Sequence, residues 1–553
     1  MTRRSLGHTP WVSSVAAGRR STGHALVLVV VLALLFGLPS AALPGALLTG
    51  AVAEDGNPLG KDLDTILADP RLTGATVGLV VRNADTGSVL YTRNSAARQL
   101  PASNGKLLTS TAALELLGPD YTFGTSVLAD GHRTGSTIGG NLYLRGTGDP
   151  TMLAKDYRDL AVRLAASGVR TVSGGLVADD TWFDSVRLGP GWSWDDEPFY
   201  YSAQTSALTV SPTTDYDAGS VIVRIRPGAV GRQAKVETDP PTDYLTIENG
   251  VTTGAAGSGT NVTVDRDHGT NTVRLTGSIG SDAAPDEEFV AVWNPTALVA
   301  SFFRKALQDN GIRVVGGTSY RAAPAGATEL AKHDSIPLRA LLVPFMKLSN
   351  NMHAEILTKS AGRKESGVGS WDAGTRALAG KLAGLGVDPA ALRMVDGSGL
   401  SRMDNVSPDQ LAALLIAARG KPWFGPWYDS LPIAGVPDRL VGGTLRHRMT
   451  GTAAANNLRA KTGSMTGVTA LSGYVTAADG EHLVFSFVQN DFLADSLKDV
   501  EDAVGVRLAE YRGPNDTSGH VRLPNQRAAA PPVSATPTVG RGASLECSWT
   551  KSC

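Results

Sequence analysis

The chain reads LPASNGKLL from residue 100 to residue 108, and a largely apolar stretch continues until Gly118. Ser103 begins the predicted helix and Gly118 ends it, in line with capping preferences. Ser103 and Lys106 stand at positions i and i+3, so they share one face of this helix. At the helix start, Ser103 also lies beside unpaired backbone N–H groups, at the positive end of the helix dipole. The stretch is typical of an activated serine nucleophile whose proton passes to the lysine.

Two further short motifs follow in the chain, SNN starting at Ser349 and KTG starting at Lys461. In the first, the serine hydroxyl can relay a proton and the amide of Asn351 can hold a substrate peptide group. The second opens a predicted strand, where the lysine and Thr462 together can bind an anionic end of a substrate. The two motifs therefore supply the polar groups that a serine nucleophile needs around its substrate.

Each motif alone is a weak signal, because short patterns often occur by chance. The Ser-x-x-Lys pattern occurs again at Ser548–Lys551, in a tail with no helix to order it. The order and placement of the three motifs are more specific. The first opens a capped helix after a predicted hairpin, and the third opens a strand before another hairpin. Together they predict a single serine-based active site.

The segments around the motifs predict an α+β domain split by an insertion. Hairpin strands are expected at 76–82 with 88–92, and at 468–475 with 482–489. Residues 121–286 are rich in Gly, Thr, Val and Asp with short alternating runs, which favour strands. Helical patterns are expected at 155–167, 297–310, 340–360, 374–385, 408–418 and 493–511.

These patterns divide the chain into four parts. The parts are an N-terminal signal or anchor (1–53), a split catalytic domain (54–122 and 292–515), an inserted, mostly-β domain (123–291) and a flexible C-terminal tail (516–553).

The first 53 residues are typical of an export signal. Four arginines lie within the first twenty positions, and an unbroken apolar run, ALVLVVVLALLFGL, starts at Ala25. A membrane-spanning helix needs ~20 apolar residues. The shorter run, with small residues at 51–53 before Glu54, predicts a cleaved secretory signal. The alternative is an uncleaved anchor, because weaker apolar residues extend the run through Pro44. Either alternative predicts a secreted or extracytoplasmic body on the cell-wall side of the membrane.

Composition and missing motifs exclude several classes of protein. The 51 basic residues balance 52 acidic ones, for a net charge of −1, so no nucleic-acid partner is expected. The chain has no HExxH, P-loop, GxGxxG after a strand or GxSxG, and its histidines lack ligand spacing, so no metal or other cofactor is expected. Cys547 and Cys553, the two cysteines, exclude a disulfide-built scaffold and predict a small terminal loop or two free thiols.

The three motifs resemble the SxxK, SDN and KTG set of penicillin-binding proteins and class A β-lactamases, with Asn350 in place of the aspartate. Ser103 and Ser349 stand 246 residues apart. An insertion of this size resembles the low-molecular-mass class C penicillin-binding proteins, the D-alanyl-D-alanine carboxypeptidase/endopeptidase family. The resemblance covers about residues 54–512. Further similar stretches are KLSNNMHAE from Lys347, DGSGLSR from Asp396 and GTLR from Gly443.

The resemblance implies a serine penicillin-recognising transpeptidase/β-lactamase-like fold, an antiparallel sheet flanked by helices, with the large mostly-β insertion. It also implies peptidoglycan stem peptides as substrates and inhibition by β-lactam antibiotics. Through an acyl-enzyme mechanism, Ser103 would attack the carbonyl between two D-alanines. Lys106 would act as the base, for which it must be neutral, and Ser349 would pass the proton to the leaving D-alanine.

The same resemblance implies how the substrate is held. Asn351 would bind the substrate backbone, and Lys461 with Thr462 would bind the terminal carboxylate. Gly463 and Ser464 would continue this substrate-binding stretch, and the backbone N–H groups of Ser103 and Ser464 would form the oxyanion hole.

A second group of residues resembles a pocket for a zwitterionic diamino-acid side chain of the stem peptide. It combines carboxylate, guanidinium and apolar surface, which are the groups that such a side chain needs. The alternative is that the aromatic residues only pack the insertion against the catalytic domain. The candidates are Trp192, Asp195, Tyr200, Arg402, Met465 and Thr466.

Two other functions remain open from the sequence. A β-lactamase would share the acylation step but deacylate faster, and the long insertion and the SNN motif argue against it. A non-catalytic wall-binding protein could keep the fold, but the intact serines and lysines of the three motifs argue against that.

Overall fold

The computed structural model describes residues 58–516, and residues 1–57 and 517–553 lie outside this description. Four predictions therefore fall outside the described residues: those for the export signal, nearly all of the tail, the second Ser-x-x-Lys pattern and both cysteines. Within residues 58–516, no helix is long and apolar enough to cross a membrane. The helices are α1 (Pro58–Ile66), α2 (Gly105–Leu117), α3 (Ala154–Ala166), α4 (Pro295–Asp309), α5 (Leu338–Lys347), α6 (Asn351–Ser366), α7 (Trp371–Leu382), α8 (Pro408–Ala418), α9 (Phe424–Ser430), α10 (Arg439–Gly442) and α11 (Lys498–Glu510).

The described strands fall into five sheets, a central antiparallel sheet and four others. Their bounds are β1 (Thr76–Asn83), β2 (Val89–Arg93), β3 (Gly124–Ala129), β4 (Arg133–Thr134), β5 (Thr137–Ile138), β6 (Leu142–Gly146), β7 (Thr171–Val172), β8 (Leu176–Asp179), β9 (Ser220–Arg226), β10 (Lys235–Asp239), β11 (Thr246–Asn249), β12 (Thr252–Gly254), β13 (Thr260–Arg266), β14 (Thr272–Gly280), β15 (Asp286–Ala291), β16 (Arg313–Val314), β17 (Thr318–Tyr320), β18 (Thr328–Asp334), β19 (Arg459–Met465), β20 (Val468–Thr476) and β21 (His482–Asn490).

The central sheet is antiparallel throughout, in the order β19-β20-β21-β1-β2. It joins strands from opposite ends of the chain, because β1 pairs along its length with β21. Alternating residues of β1 face opposite sides, as the pleat requires. Val80 packs into the core with α2 and α8, whereas Leu79 and Val81 pack into the core with α1 and α11. Helices therefore cover both faces, which confirms the predicted fold class.

The insertion has a core of its own, built from β strands with α3 and α4. Its end differs from the predicted boundary at residue 291. Strands β16, β17 and β18 pair with β7, β8 and β3, so the inserted sheets continue to Asp334, which lies opposite Gly124. Helix α4 belongs there too, since Leu298 and Phe303 pack into the insertion core. The predicted boundary assigns α4 to the catalytic domain because its sequence is helical, but a helical pattern does not show which core the helix packs against.

The helical segment around the second motif also differs from its prediction. One helix was expected over 340–360, whereas α5 and α6 are separated at Ser349, whose backbone is left-handed with φ of 57°. Asn350 then caps α6, because its side chain accepts a hydrogen bond from the His353 N–H. The break places Ser349 at a helix junction, where its hydroxyl can face the other two motifs.

Candidate active site

The three motifs meet at one point, beside the start of α2. Ser103 lies in a single 3-10 turn, Ala102–Asn104, that leads directly into α2. Lys106 is fully buried one turn further on, and its Nζ donates to Ser103 Oγ at 2.8 Å. Ser103 itself is 5% exposed. The contact predicted from the i, i+3 spacing is therefore present, and it brings a buried amine into hydrogen-bond contact with the serine hydroxyl.

Lys106 has two more acceptors besides Ser103. Its Nζ donates to Asn351 Oδ1 at 2.6 Å and to the backbone carbonyl of Ser398 at 3.0 Å. Asn351 in turn donates from Nδ2 to the Tyr201 carbonyl at 2.8 Å. These acceptors fix the direction of the amine, so it lies beside the serine hydroxyl in one orientation.

The second and third motifs form a matching pair. Lys461 Nζ donates to Ser349 Oγ at 2.8 Å and to the Thr462 carbonyl at 2.9 Å, and the lysine is fully buried. Thr462 Oγ1 lies 2.8 Å from Thr444 Oγ1, in the GTLR stretch. The site thus has two serine hydroxyls, each bonded to a buried lysine.

The glycine of the KTG motif is explained by its closeness to the nucleophile. A Cβ on Gly463 would lie 2.8 Å from the Pro101 carbonyl and 3.0 Å from the Ser103 N–H nitrogen. Asn104 ties the two elements together, since its Nδ2 donates to the Lys461 and Ala470 carbonyls. Strand β19 therefore packs directly against the turn that carries the nucleophile, without room for a side chain between them.

Two residues at these motifs have strained backbones. Ala102 and Ser349 both have left-handed backbones, with φ of 46° and 57°, although neither is glycine. Such conformations cost roughly 1–3 kcal/mol each and persist where the surroundings impose them. Both positions adjoin or carry a reactive hydroxyl, so the fold holds these groups in place at the expense of local stability.

The candidates for the side-chain pocket are only partly brought together. Arg402 reaches the end of β19, where its Nη2 donates to the Thr466 carbonyl at 3.2 Å. Asp196 lies close enough to Arg402 for an electrostatic interaction and accepts from Tyr201 Oη at 2.9 Å. Burial raises the pKa of Asp196 and Arg402 opposes that rise. Asp195, the predicted carboxylate, is exposed beside it.

The aromatic candidates pack mainly against protein. Trp192 is half-buried and donates from Nε1 to Asp396 Oδ2 at 2.8 Å. Tyr200 is buried and contacts Tyr201 and Phe289. Met465 is 9% exposed at the end of β19. Trp192 and Tyr200 thus join the insertion to the DGSGLSR loop.

Comparison with known proteins places this geometry in a family. The model of the D-Ala-D-Ala carboxypeptidase 3 (S13) family matches residues 59–511. The chain belongs to this S13 family. It is 47% identical over 500 residues to a D-alanyl-D-alanine carboxypeptidase from Actinomadura sp. (strain R39), covering 90% of each chain. It is 28% identical over 437 residues to the D-alanyl-D-alanine carboxypeptidase DacB of Haemophilus influenzae, covering 77% of this chain and 87% of DacB.

Solved structures agree with the S13 assignment. The crystal structure of penicillin binding protein 4 (dacB) from Haemophilus influenzae superposes with a TM-score of 0.70 at 25% identity, covering 80% of this chain and 97% of that one. The same protein complexed with a novel β-lactam gives a TM-score of 0.65, also at 25% identity, over 81% of this chain and 97% of that one. The predicted resemblance to class C penicillin-binding proteins is confirmed.

Sequence reasoning missed the role of the DGSGLSR loop in this S13 site. The loop supplies the Ser398 carbonyl to Lys106. Three buried acids belong to this region: Asp396, the first residue of the loop, Asp404, two residues after its end, and Glu355 on α6. Burial, together with Asp396, raises the pKa of Glu355 to about 7. Burial and Asp396 also raise the pKa of Asp404 well above its usual range. The turn glycines were visible in the sequence, but a backbone carbonyl has no sequence signature.

No resident metal site is apparent in the part of this S13 chain that the structure describes. Within residues 58–516, no group of three or more His, Cys, Asp or Glu side chains is arranged to hold a metal ion.

Proposed function

We propose that this S13 chain is an exported serine D-Ala-D-Ala carboxypeptidase that cleaves peptidoglycan stem peptides through an acyl-enzyme and is inhibited by β-lactams. The contact between Lys106 Nζ and Ser103 Oγ, at 2.8 Å in a buried site, carries the proposal. The relative from Actinomadura and the β-lactam complex of penicillin binding protein 4 support it.

The first step forms the acyl-enzyme. Neutral Lys106 takes the proton of Ser103, and the serine oxygen attacks the carbonyl carbon between the two D-alanines. Negative charge then develops on the carbonyl oxygen, beside the backbone N–H groups of Ser103 and Ser464. Each such donor contributes ~3–4 kcal/mol to the stability of the transition state.

The second hydroxyl–lysine pair acts on the leaving group. As the C–N bond breaks, Ser349 Oγ, which Lys461 keeps in place at 2.8 Å, gives its proton to the D-alanine nitrogen. The proton that Lys106 took from Ser103 then restores the Ser349 hydroxyl, and Lys106 is neutral again. Lys461 and Thr462 provide the positive charge and hydroxyl that the terminal carboxylate requires. Water then attacks the acyl-enzyme carbonyl, and the serine leaves with a proton returned to it. Cleavage of cross-linked stem peptides, an endopeptidase activity, would use the same steps with a larger leaving group.

Mass spectrometry with penicillin and a D-Ala-D-Ala pentapeptide separates this function from its alternatives. We expect a stable penicillin adduct on Ser103 and release of one D-alanine from the pentapeptide. Rapid turnover of penicillin without an adduct would instead indicate a β-lactamase. No adduct and no cleavage would indicate a non-catalytic binding protein.

The side-chain pocket leads to a selective prediction for Arg402→Ala. Arg402 stands between the Thr466 carbonyl and Asp196, and its planar guanidinium suits the carboxylate of a diaminopimelate side chain. We expect kcat/KM for a peptide with free diaminopimelate to fall by ~10–1000-fold, as for a lost charge-assisted contact. A simple N-acylated D-Ala-D-Ala should be cleaved nearly as before.

The control for this prediction is Arg376→Ala. Arg376 is an exposed arginine on α7 that pairs with Asp372, and its loss should affect neither substrate. If Arg402→Ala lowers activity equally on both substrates, the residue supports the catalytic centre and the pocket has been placed wrongly.

Export is tested by the mass of the protein that cells secrete. We expect the mature chain to begin at Glu54, after the small residues at 51–53. A membrane fraction holding the chain with its first 53 residues intact would show that the segment is an anchor.

A further inference from the structure

The backbone of the DGSGLSR loop is hydrogen-bonded to one buried carboxylate, that of Glu355 on α6. Glu355 Oε1 accepts from the Ser398 N–H at 2.9 Å, and Oε2 accepts from the Gly397 N–H at 2.9 Å and from Trp371 Nε1 at 2.7 Å. Glu355 is fully buried. All three neighbours are donors, so the site fits an ionised carboxylate that accepts and does not donate.

The same loop touches the catalytic lysine on its other side. Ser398 gives its N–H to Glu355, and its carbonyl accepts from Lys106 Nζ at 3.0 Å. Glu355 also stands one helical turn after Asn351 on α6, so both lie on one face of that helix. One turn of α6 therefore carries Asn351, which accepts from Lys106, and Glu355, which holds the loop residue whose carbonyl also accepts from Lys106.

We propose that Glu355 is a positioning residue for Lys106. By holding the Gly397 and Ser398 N–H groups, it fixes the Ser398 carbonyl, which together with Asn351 Oδ1 accepts the two N–H groups of the neutral amine, and so keeps the lone pair of that amine directed at the Ser103 hydroxyl. The inference rests on the proposed acylation chemistry. It adds a residue that touches neither substrate nor nucleophile, and that acts only through the loop.

Other charged groups face the same buried region. Asp396 and Asp404 lie on the loop side, Lys359 lies one turn further along α6, and Lys106 lies on α2. Asp404 shares a hydrogen bond with Asp396 and accepts from the Val395 N–H at 2.7 Å. Two carboxyl groups share a hydrogen bond only when one of them carries a proton, and burial, which raises the pKa of Asp404, favours Asp404 as that donor. Asp404 then serves as a neutral donor where Glu355 serves as a charged acceptor.

This difference provides a matched pair of variants. Glu355→Gln places an NH2 group among three N–H donors, so the loop should lose at least one of its hydrogen bonds. Asp404→Asn places an NH2 group where an acid proton already donates, so its hydrogen bonds should persist. We expect Glu355→Gln to lower the acylation rate constant for a chromogenic cephalosporin at pH 8 by ~10–100-fold, with little change in binding of the intact drug. Asp404→Asn should stay within ~3-fold of wild type.

The pH dependence of this loss distinguishes positioning from a general structural role. Because the pKa of Glu355 is raised to about 7, its carboxylate takes up a proton as the pH falls through that value, and wild type then also loses an acceptor. The ratio of wild-type to Glu355→Gln acylation rates should therefore shrink toward one below pH 7. A ratio that is independent of pH, a loss that lies only in drug binding, or an equal loss in Asp404→Asn would overturn the proposal.

A second pair of variants decides the matter if Glu355→Gln does not fold. Thr109 Oγ1 donates to the Gly397 carbonyl at 2.6 Å and so tethers the loop from the α2 side. Thr111 is equally buried on α2, but its hydroxyl bonds only to carbonyls of its own helix. Thr109→Val should slow acylation by ~3–10-fold while Thr111→Val leaves it unchanged. Equal rates in both variants would contradict a role for the loop.

These outcomes remain separate from those of the proposed function. Wild-type protein that forms no β-lactam adduct would refute the acyl-enzyme mechanism itself. An active wild type with unimpaired Glu355→Gln and Thr109→Val would refute only the positioning role.

Discussion

Ser103→Ala should abolish both penicillin labelling and release of D-alanine. The variant removes the oxygen that attacks the substrate carbonyl, which is the hydroxyl bonded to Lys106 Nζ at 2.8 Å. Removing the nucleophile of a serine hydrolase typically lowers the rate by at least ~10⁴-fold. Labelling is measured by intact mass after incubation with penicillin, and cleavage by D-alanine release.

The control is Ser548→Ala, in the second Ser-x-x-Lys pattern. That serine lies in the C-terminal tail, so its loss should change neither labelling nor cleavage. The melting temperature of Ser103→Ala should stay close to that of wild type, because one hydroxyl is removed from a site that other contacts hold. Labelling that persists in Ser103→Ala would show that another residue is the nucleophile.

Lys106→Met and Lys106→Arg should both lose acylation by ~10²–10⁴-fold, the usual contribution of a general base. Methionine cannot take the proton. Arginine stays positively charged at every pH used in such an assay, so it cannot take the proton either. The measurement is the second-order rate constant for acylation by a chromogenic cephalosporin.

The arginine variant makes this test specific. If the lysine acted only by its charge, Lys106→Arg should retain much of the activity that Lys106→Met loses. Equal losses support the lysine as the base. Substantial activity in Lys106→Arg would assign Lys106 an electrostatic role and leave the base to be found elsewhere in the site.

Local geometry was the part of the site that the sequence could predict. Ser103 and Lys106 lie in one helical turn, so their spacing alone implies the contact that is observed. The approach of Asn351 and Lys461 depends on how distant segments pack, and only the resemblance to a known family indicated it. The support from Glu355 and the Ser398 carbonyl was not predicted, because it runs through backbone groups that every residue carries.

Errors in the fold have similar physical reasons. A helical pattern was predicted from 340 to 360, but the chain leaves the helix at Ser349, where tertiary contacts impose a left-handed backbone. In the pocket, Asp195 and Asp196 are neighbours in a 3-10 turn. The carboxylate of Asp196 faces the protein, whereas that of Asp195, one residue earlier, faces the solvent. The periodicity of a sequence does not resolve such a shift.

The pairing of β1 with β21 also constrains the order in which the molecule can be assembled. The insertion has its own core and can begin to fold once residues up to Asp334 are available. The central sheet cannot close at that stage, because the hairpin of β1 and β2 must wait for strands near the end of the chain. Pairings so distant in sequence form slowly and leave apolar strands open to aggregation. A newly made chain therefore passes through a stage with a folded insertion and an unfinished catalytic domain, and the yield of folded protein should depend on protection from aggregation during that stage.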